Sequence, residues 1–600
     1  MINDSLYFAS KGKKNLLNGI TLILCLVFIS KLAYMQIFET SKYQQLSENQ
    51  AIKLVRKEPI RGNIFDRNNE MLVHSQPAFS ITITPSEFTK QSKTLLSSLL
   101  NTEESEVDKV LSKYKGYSRL NPIKIFKDVN IEIVSAIEEY NQYLPGVDIT
   151  IESKRKYESV IELSHILGYT GEISKKRLEQ KRYYFPGDDI GRNGLEYSYE
   201  DLLKGSFGSE WIAVNKFQQK VSAFDDGKLD KDAVKGFDLI LHIDSKLQAK
   251  AEELLIGKVG SAVAIDVNTG GILAYASSPH FKLEDFSGRI PAKVYNQLRD
   301  NSDKPLLNRP IQGEYAPGSS WKMLVALAAL EEGIITKNST FTCSGFLKFG
   351  NRSFHCTHTD GTINVVDAIR SSCNVYFYHL GIKLGIEKIR EYGLKFGFGT
   401  RTGIDLPNER DGNLPSIQTL EKIYQGYVPK GIALNWGIGQ GEILTTPLQM
   451  AAYTAAIANG GTYYQPHLVW KVFNPLIKKY EVMNYKSTNI KIASDYFDIV
   501  KFGMWKVVNQ GGTATNVHLN QVDICGKTST SQNNKGKPHS WFVSFAPYKD
   551  PEVAIIAIVE NGGYGSVAAA PIVREMHKVY FGIDTLQEYS NIDSILTQEH

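Results

Sequence analysis

A long apolar segment near the N-terminus limits what the rest of this chain can be. Residues 15–30 carry no charged side chain, and residues 32–38 continue the apolar run beyond a single lysine, Lys31. About 20 apolar residues span a bilayer, and a lysine near one end can extend its amine to the interface. The run is not followed by a small-residue cleavage site, which favours an uncleaved anchor over a removed signal peptide. The chain is therefore predicted to cross a membrane once.

Charge beside this segment predicts its orientation. Three lysines lie among residues 1–14, and positive charge is retained on the cytoplasmic side. We expect 1–14 to be a cytoplasmic tail and 15–38 to be the anchor in the cytoplasmic (inner) membrane. Everything after residue 40 is expected on the outer, periplasmic side.

The length of the exported part predicts more than one domain. A chain of 600 residues exceeds a single core, and 42% hydrophobic with 22% charged residues is typical of folded proteins. The net charge of +4 without a basic stripe excludes nucleic acid as an expected partner. Residues 39–235 are charged with short apolar runs, which predicts an extended, mostly β region. Residues 236–585 are predicted to form a second domain, and 586–600 a C-terminal tail.

Strand patterns stand at both ends of the second domain, with helical patterns between them. The predicted strands are 237–243, the hairpin 261–278, 521–532, 539–547 and 551–563. Ser245 and Gln248 are predicted to form a capping box on the helix that follows the first strand. This order predicts an α+β fold with one antiparallel sheet assembled from distant segments.

A lysine stands in this domain where helix chemistry disfavours one. Residues 320–330 are apolar and rich in alanine and leucine, and Pro317 and Gly318 precede them, so a buried helix is predicted from about Ser319. Lys322 then lies in the first turn, where the helix dipole disfavours a cation. Burial and the dipole would favour a neutral amine, which can take the proton of the Ser319 hydroxyl. The position predicts a nucleophile–base pair.

Two later motifs complete a set known for penicillin-binding proteins and β-lactamases. Ser319 to Lys322 reads S-x-x-K, Ser372-Cys373-Asn374 reads S-x-N, and Lys527-Thr528-Ser529 stands where the set has K-T-G. A second S-x-x-K match, at 153–156, lies in a charged cluster and has no such companions.

The chain resembles the class B penicillin-binding proteins from its membrane segment to about residue 580. Residues 434–451 (LNWGIGQGEILTTPLQMA) are similar to the segment between the second and third motifs of that family, and 61–73 (RGNIFDRNNEMLV) to the start of its pedestal or dimerisation domain. Residues 343–356 and 368–381 resemble the penicillin-binding protein 2 subgroup, which serves lateral wall elongation. The resemblance implies a membrane helix, a β-rich pedestal at 39–235, and a transpeptidase domain at 236–585 with a five-stranded antiparallel sheet flanked by helices.

The resemblance also implies roles in acyl transfer. Ser319 would attack the penultimate D-alanine carbonyl of a peptidoglycan stem peptide, and Lys322 would accept its proton. Ser372 and Asn374 would relay protons and hold the substrate amide. A second stem-peptide amine would take the acyl group, and β-lactams would stall at the acyl-enzyme. The expected activity is that of a serine-type D,D-transpeptidase, of the D-Ala-D-Ala carboxypeptidase class.

The third motif would bind the end of the substrate. Lys527 would supply positive charge and bias Lys322 towards its neutral form, and Thr528 would hydrogen-bond the terminal carboxylate. The backbone N–H groups of Ser319 and Thr530 would form the oxyanion hole. Ser529 replaces the usual glycine and is expected on the ligand side of its strand, with Lys527. A tolerated small residue, reduced β-lactam affinity and loss of activity all remain open.

The cysteines leave a separate question open. Cys343 and Cys356 lie beside His355 and His358 in the sequence. Outside the cytoplasm a Cys343–Cys356 disulfide is the first interpretation. The two cysteines and two histidines as zinc ligands, or free thiols, are the alternatives. No cofactor is expected to be required.

Other classes account for less of the chain. A β-lactamase or membrane β-lactam sensor does not explain the 200-residue exported segment before the S-x-x-K domain, and a class A enzyme would need a glycosyltransferase domain. A non-catalytic scaffold that docks a glycan polymerase is the remaining rival. The resemblance implies a SEDS-type polytopic glycosyltransferase and other elongation-complex proteins as partners.

Overall fold

The structure is a computed structural model of the chain. It describes residues 3–40, 52–117, 119–158, 161–181, 183–214, 220–286, 290–533 and 536–583. The predicted tail at 586–600 lies outside the described residues.

The N-terminal segment is one long helix, Asn3–Ile37. Its part from Gly12 to Ile37 is long and apolar enough to cross a membrane, and no other helix among the described residues meets that test. Apolar side chains all around it, such as Leu17 and Phe28, are exposed because they pack on no other element. A helix that is hydrophobic all round fits a single-pass membrane anchor. The helix begins within the predicted tail rather than at residue 15.

The described part of the pedestal combines strands of three sheets with several short helices. Its strands are Ile52–Lys57, Ile64–Phe65, Met71–Ile83, Ile123–Val129, Val147–Tyr157, Thr170–Glu172, Asp189–Gly191, Gly208–Val214 and Lys220–Ala223. Its α-helices are Lys90–Leu99, Glu104–Ser112, Ile131–Glu139, Ser164–Leu167, Lys175–Gln180, Gly194–Ser198 and Glu200–Leu203, with 3₁₀ turns at Asn141–Tyr143 and Phe224–Gly227.

Two stretches of the predicted mostly β pedestal are instead helical, 90–112 and 131–139. Thr89 and Asn130 cap two helices there by accepting backbone N–H bonds from Ser92 and Ile133. These helices bury their apolar side with the strand residues Ile81 and Ile83 in one core. The caps were readable in the sequence, but helices of about ten residues bury too few apolar side chains to show a clear period.

A seven-stranded sheet joins the two parts of the chain. Strand Asp238–Leu241 pairs in parallel with Ile64–Phe65 and antiparallel with Val469–Asn474, which itself pairs with Lys479–Val482. The domain boundary predicted near residue 235 therefore does not separate two independent sheets. The seven-stranded sheet contains strands from both before and after residue 235.

The predicted capping box is wrong, and its serine has another partner. Asp244, not Ser245, caps helix Ser245–Leu255 by accepting from two backbone N–H groups. Ser245 Oγ donates to Oδ2 of the buried Asp66 over 2.8 Å, and Gln248 bonds both backbone groups of Tyr275. Asp66 thus fixes the pedestal to the start of the second domain.

An ion-pair network around Arg61 is buried in the pedestal. The Arg61 guanidinium donates to Glu196 over 2.5 Å and to Glu200 over 2.8 and 3.0 Å, and Arg155 donates to the same Glu196 over 2.6 Å. All four side chains are buried. Burial alone would raise the pKa of Glu200, but Arg61 holds that pKa below its ordinary value.

Replacing Arg61 with alanine is expected to destabilise the protein by about 3–5 kcal/mol, because Glu196 and Glu200 would keep buried charge without this partner. Chemical unfolding of the detergent-solubilised protein measures the loss. Lys154→Ala, which breaks an exposed pair with Asp128, is the control and should change the free energy of unfolding by less than about 0.5 kcal/mol. An equal effect of the two changes would contradict the prediction.

The second domain contains the predicted five-stranded antiparallel sheet. Its strands lie in the order Ile272–Ser278, Gly260–Asp266, Val553–Val559, His539–Ala546 and Cys525–Ser531. Helix Pro447–Ala458 covers one face, while Ser245–Leu255 and Ala570–Tyr580 cover the other. The predicted α+β fold is confirmed. Because Cys525–Ser531 lies at the edge, one side of its backbone is open to another partner.

The remaining elements connect and surround this sheet. The helices are Ala292–Arg299, Arg309–Gln312, Lys322–Glu331, Val365–Ser371, Asn374–Lys395 (interrupted at Gly385), Ile417–Ile423, Ile432–Gly437, Ser494–Asn509 and Gly565–Ala568, with 3₁₀ turns at Glu284–Phe286, Gly318–Trp321 and Thr515–Val517. The short strands are Phe341–Cys343, Phe346–Phe349, Arg352–His355, Gly361–Ile363, Thr462–Tyr464 and Ser487–Asn489.

Candidate active site

Ser319 lies in a tight turn that leads into a buried helix. The 3₁₀ turn Gly318–Trp321 continues directly into helix Lys322–Glu331, whose residues from Lys322 to Leu330 are all buried. Gly318 has a φ of 54°, and a Cβ there would lie 2.4 Å from Ser529 Oγ. Only glycine therefore suits this position. The predicted helix start and the place of Lys322 in its first turn are confirmed.

Lys322 is completely buried and its amine is held by the second motif. Nζ donates to Ser372 O and to Asn374 Oδ1, each over 2.7 Å, and lies 3.3 Å from Ser372 Oγ. Burial lowers the pKa of Lys322 to about 8. A substantial fraction of the amine is then neutral near neutral pH, as a general base requires.

Ser372 lies between the two motif lysines. It ends helix Val365–Ser371 in the left-handed region, with a φ of 61°. Only Cys373 lies between it and the next helix, Asn374–Lys395. Its Oγ accepts from Lys527 Nζ over 2.8 Å and from Lys322 Nζ over 3.3 Å. A non-glycine residue in this conformation carries strain, which is often found at functional sites. The hydroxyl can pass a proton to a group bound in the cleft.

Lys527 is the second buried lysine of the site. Its Nζ also donates to Thr528 O over 3.0 Å. Burial, and then repulsion from Lys322, lower the pKa of Lys527 well below its ordinary value. The expected influence of Lys527 on Lys322 is not evident at Lys322, where burial is the main cause of the lowered pKa.

The edge strand directs its backbone towards the nucleophile turn. Thr528 O accepts from Lys527, and Thr530 O accepts from Gln440 Nε2 over 3.3 Å, so these carbonyls point away from the neighbouring strand. In an extended strand the N–H of a residue points to the same side as its C=O. The Thr530 N–H therefore points to the open edge, as an oxyanion donor must. The Thr528 hydroxyl lies 2.6 Å from the hydroxyl of Thr513.

The Ser529 hydroxyl is buried against protein rather than open to a ligand. The side chain is 2% exposed, and Oγ donates to Pro317 O over 2.7 Å. It does share a face with Lys527, but that face packs against the turn that carries Ser319. The hydroxyl therefore cannot narrow the cleft directly.

Three residues of the site were missed by the sequence reasoning. Gly439 O accepts from the Gly318 N–H over 2.8 Å, Gln440 reaches Thr530, and Thr513 reaches Thr528. The first two lie in 434–451, a segment that the resemblance identified without assigning roles. Thr513 lies in a loop without a motif, and its sequence gave no signal.

The structure has no Cys343–Cys356 disulfide, and of the four candidate zinc ligands it brings together the two cysteines but neither histidine. All five cysteines are free thiols. His355 makes its contacts with Asn374 and Tyr378 through its backbone carbonyl. His358 Nδ1 lies 3.8 Å from Cys356 Sγ and is not among the clustered ligand atoms.

A different set of four groups comes together beside the second motif. Ligand atoms of Cys343, Cys356, Asp360 and Cys373 all lie within 4.8 Å of one another, with Cys356 Sγ and Cys373 Sγ 4.0 Å apart. A tetrahedral zinc ion with Zn–S bonds of about 2.3 Å places its sulfur ligands about 3.8 Å apart. Asp360 Oδ2 is buried without a hydrogen-bond partner among the described residues. The donors and this unsatisfied carboxylate oxygen fit a zinc ion.

Family comparisons agree with this architecture. Residues 260–578 match the family described as the penicillin binding protein transpeptidase domain, and residues 56–241 match the penicillin-binding protein dimerisation domain. The chain is a class B penicillin-binding protein.

Relatives of this penicillin-binding protein extend over nearly its whole length. Peptidoglycan D,D-transpeptidase MrdA of Acinetobacter baumannii is 33% identical over 575 residues, which cover 92% of this chain and 85% of that protein. MrdA of Escherichia coli (strain K12) is 31% identical, and the match covers 92% of each chain.

Solved structures are similar as well. The complex between PBP2 and MreC from Helicobacter pylori matches with a TM-score of 0.77 and 30% identity, covering 88% of this chain and 99% of that one. A peptidoglycan synthase complex that coordinates polymerization and crosslinking contains a chain with a TM-score of 0.70 and 26% identity, covering 95% and 99%.

The site of this penicillin-binding protein combines the parts of an acyl-transfer centre. A serine hydroxyl begins a buried helix, a buried amine lies one turn further on, and a second hydroxyl connects that amine to another lysine. The edge strand beside them offers backbone donors for an oxyanion. This arrangement can form and break an ester on Ser319.

Proposed function

We propose that this protein is a serine D,D-transpeptidase that cross-links peptidoglycan stem peptides during wall elongation. The observation that carries the proposal is the pair of buried lysines, Lys322 and Lys527, joined through Ser372 Oγ. Burying two amines without a carboxylate partner is costly, and a scaffold would gain nothing from it. The names of the relatives, peptidoglycan D,D-transpeptidase, support the same reaction.

Acylation begins with the Ser319 hydroxyl. Its oxygen attacks the carbonyl carbon of the penultimate D-alanine, and its proton passes to the neutral amine of Lys322. The N–H groups of Ser319 and Thr530 stabilise the oxyanion. The peptide C–N bond then breaks, and the leaving amine of the terminal D-alanine takes a proton through Ser372. An ester on Ser319 and free D-alanine result.

Cross-linking reverses these proton movements. The amine of a second stem peptide attacks the ester carbonyl and gives its proton to the same relay, and the ester C–O bond breaks. Ser319 recovers its proton from Lys322. A β-lactam would open on Ser319 by the first step and leave an acyl-enzyme with no ready acceptor. The charge of Lys527 and the Thr528 hydroxyl would hold the substrate carboxylate.

Cross-link formation tests this function directly. The full-length protein, reconstituted in vesicles with a glycan polymerase and pentapeptide lipid-linked precursor, should yield cross-linked muropeptides and one D-alanine per cross-link. Release of D-alanine without cross-links would replace the proposal by carboxypeptidase action. If the protein forms neither product and is also not acylated by penicillin, this result would overturn enzymatic function altogether and favour a scaffold.

The orientation of the protein in the membrane and its partner proteins are also part of the proposal. We infer that residues 1–14 face the cytoplasm, that the rest of helix Asn3–Ile37 crosses the inner membrane, and that the transpeptidase domain lies in the periplasm. The lysines before the apolar run support this orientation. A SEDS-type glycosyltransferase and other elongation-complex proteins are the proposed partners, supported by the similarity to chains solved with MreC and in a synthase complex.

Cys343, Cys356, Asp360 and Cys373 are proposed to hold a structural zinc ion. The metal would tie the loop before the second motif to Cys373, between the motif residues Ser372 and Asn374. It would stabilise that loop and supply no group to the reaction.

Metal analysis of the purified protein is expected to find one zinc per chain, and Cys343→Ser is expected to lose it because three donors hold zinc more weakly. Cys25→Ser, which changes a cysteine of the membrane helix, is the matched control and should keep the metal. The site would be refuted if wild-type protein purified from zinc-supplemented cells held no zinc. It would also be refuted if Cys343→Ser held one zinc per chain.

A further inference from the structure

Two serine hydroxyls connect the edge strand to the turn that carries the nucleophile. Ser529 Oγ donates to Pro317 O over 2.7 Å, and Ser531 Oγ donates to Ala316 O. Both serines are buried, at 2% and 0% exposure. Their acceptors are consecutive carbonyls that end two residues before Ser319.

These hydroxyls flank the residue that supplies an oxyanion donor. Side chains alternate along a strand, so Ser529 and Ser531 share one face while the intervening Thr530 directs its N–H to the open edge. The other oxyanion donor is the N–H of Ser319, in the turn on which the two hydroxyls act. The bonds therefore join the two halves of the oxyanion hole on both sides of Thr530.

The close fit at Gly318 shows how tightly this contact is packed. A Cβ on Gly318 would lie 2.4 Å from Ser529 Oγ and 3.2 Å from Thr530 O. The Ser529 hydroxyl thus occupies the space directly beside the glycine that precedes the nucleophile. A glycine in place of Ser529, as in the family motif, would remove this hydroxyl and its hydrogen bond to the turn.

We propose that Ser529 and Ser531 are positioning residues that fix the distance between the Ser319 and Thr530 N–H groups. The inference rests on the proposed acyl-transfer function and deepens it. Oxyanion donors act on charge that develops in the transition state, and their value depends on geometry set before the reaction. Loss of the two hydroxyls is therefore expected to slow acylation without weakening initial binding of a ligand.

Acylation kinetics with a chromogenic β-lactam separate these effects. Ser529→Ala and Ser531→Ala in the full-length protein are each expected to lower the acylation rate constant about 10–100-fold, a smaller loss than removal of an oxyanion donor itself. The dissociation constant of the non-covalent complex should stay within about threefold. A boronic acid that forms a tetrahedral adduct on Ser319 should lose affinity in proportion to the acylation rate, since it needs the same two donors.

Ser544→Ala is the matched control. Ser544 is a buried serine on the neighbouring strand, His539–Ala546. Its Oγ donates to Ile555 O over 2.9 Å and lies 2.8 Å from His577 Nε2. It has the same kind of bond to a backbone carbonyl but no contact with the nucleophile turn. Its change should leave the acylation rate constant unaltered even if it lowers the thermal stability.

The outcomes distinguish this inference from the proposed function. Acylation constants equal to the wild type in both variants would overturn the positioning role, as would a Ser529→Gly variant that acylates at least as fast as the wild type. The positioning role would also be overturned if the acylation rate constant and the thermal stability fell together in the serine variants as they do in Ser544→Ala. Such a result would show a structural role only. Failure of the wild type itself to acylate would instead refute the proposed function.

Discussion

Ser319→Ala is expected to abolish covalent labelling of the protein by a penicillin, while the wild type gains one adduct per chain. The Ser319 oxygen is the atom that forms the ester, and alanine offers no replacement nucleophile. Removing a catalytic nucleophile lowers the rate by a factor on the order of 10⁵–10⁶, which leaves no adduct on the time scale of the experiment. Intact-mass spectrometry of the detergent-solubilised protein measures the result.

Ser153→Ala is the control for the nucleophile. Ser153 and Lys156 also match the S-x-x-K pattern, but they lie in strand Val147–Tyr157, where residues three apart point to opposite faces. This variant should acquire the same adduct as the wild type. An adduct on Ser319→Ala that peptide mapping places at another residue would refute the assignment of the nucleophile.

Lys322→Met is expected to lower the acylation rate constant by about 10²–10⁴, the usual contribution of a general base. Methionine approximates the volume of the buried stem but cannot take the Ser319 proton. Lys322→Arg should be impaired as strongly, because a guanidinium keeps its proton at any accessible pH. Stopped-flow acylation with a chromogenic β-lactam measures both variants. An arginine variant with near wild-type rates would show that charge, rather than proton transfer, is what Lys322 contributes.

The pH dependence of the wild type tests the same role. Burial lowers the pKa of Lys322 from 10.5 to about 8, and only the neutral amine can accept a proton. At pH 7 about a tenth of the amine is neutral, compared with roughly 0.03% for an unperturbed lysine. The acylation rate constant should therefore rise about tenfold per pH unit below pH 8 and level off above it. A constant rate from pH 6 to pH 9 would contradict the assignment.

Local patterns of the sequence predicted much of the site. The alanine- and leucine-rich run after Ser319 predicted a buried helix, and Pro317 and Gly318 before it placed Lys322 in the first turn. The hairpin around residues 268–271 and the three C-terminal strands were likewise predicted, because each is defined by its own turn and alternation. The short pedestal helices were missed because each relies on tertiary contacts for most of its stability.

The direction of a side chain was less predictable than its position. Alternation correctly placed Ser529 on the face of Lys527, but the sequence could not show that this face packs against Pro317 rather than the ligand. The cysteine cluster has the same explanation. Spacing suggested His355 and His358 as companions of Cys343 and Cys356, whereas folding supplies Asp360 and Cys373.

The sequence by itself determined the apolar N-terminal helix, the α+β class, the order of the motifs and the place of Lys322 in the first turn after Ser319. Each follows from interactions between residues near one another in the chain, where period, capping and charge act directly. Only the tertiary structure decided that Ser372 lies between two buried lysines and that Gly439 bonds the nucleophile turn while Gln440 bonds the edge strand. It also decided that Ser529 and Ser531 connect that turn to the edge strand. Those contacts join segments 50 to 215 residues apart, and their geometry depends on how the central sheet packs, which no local pattern encodes.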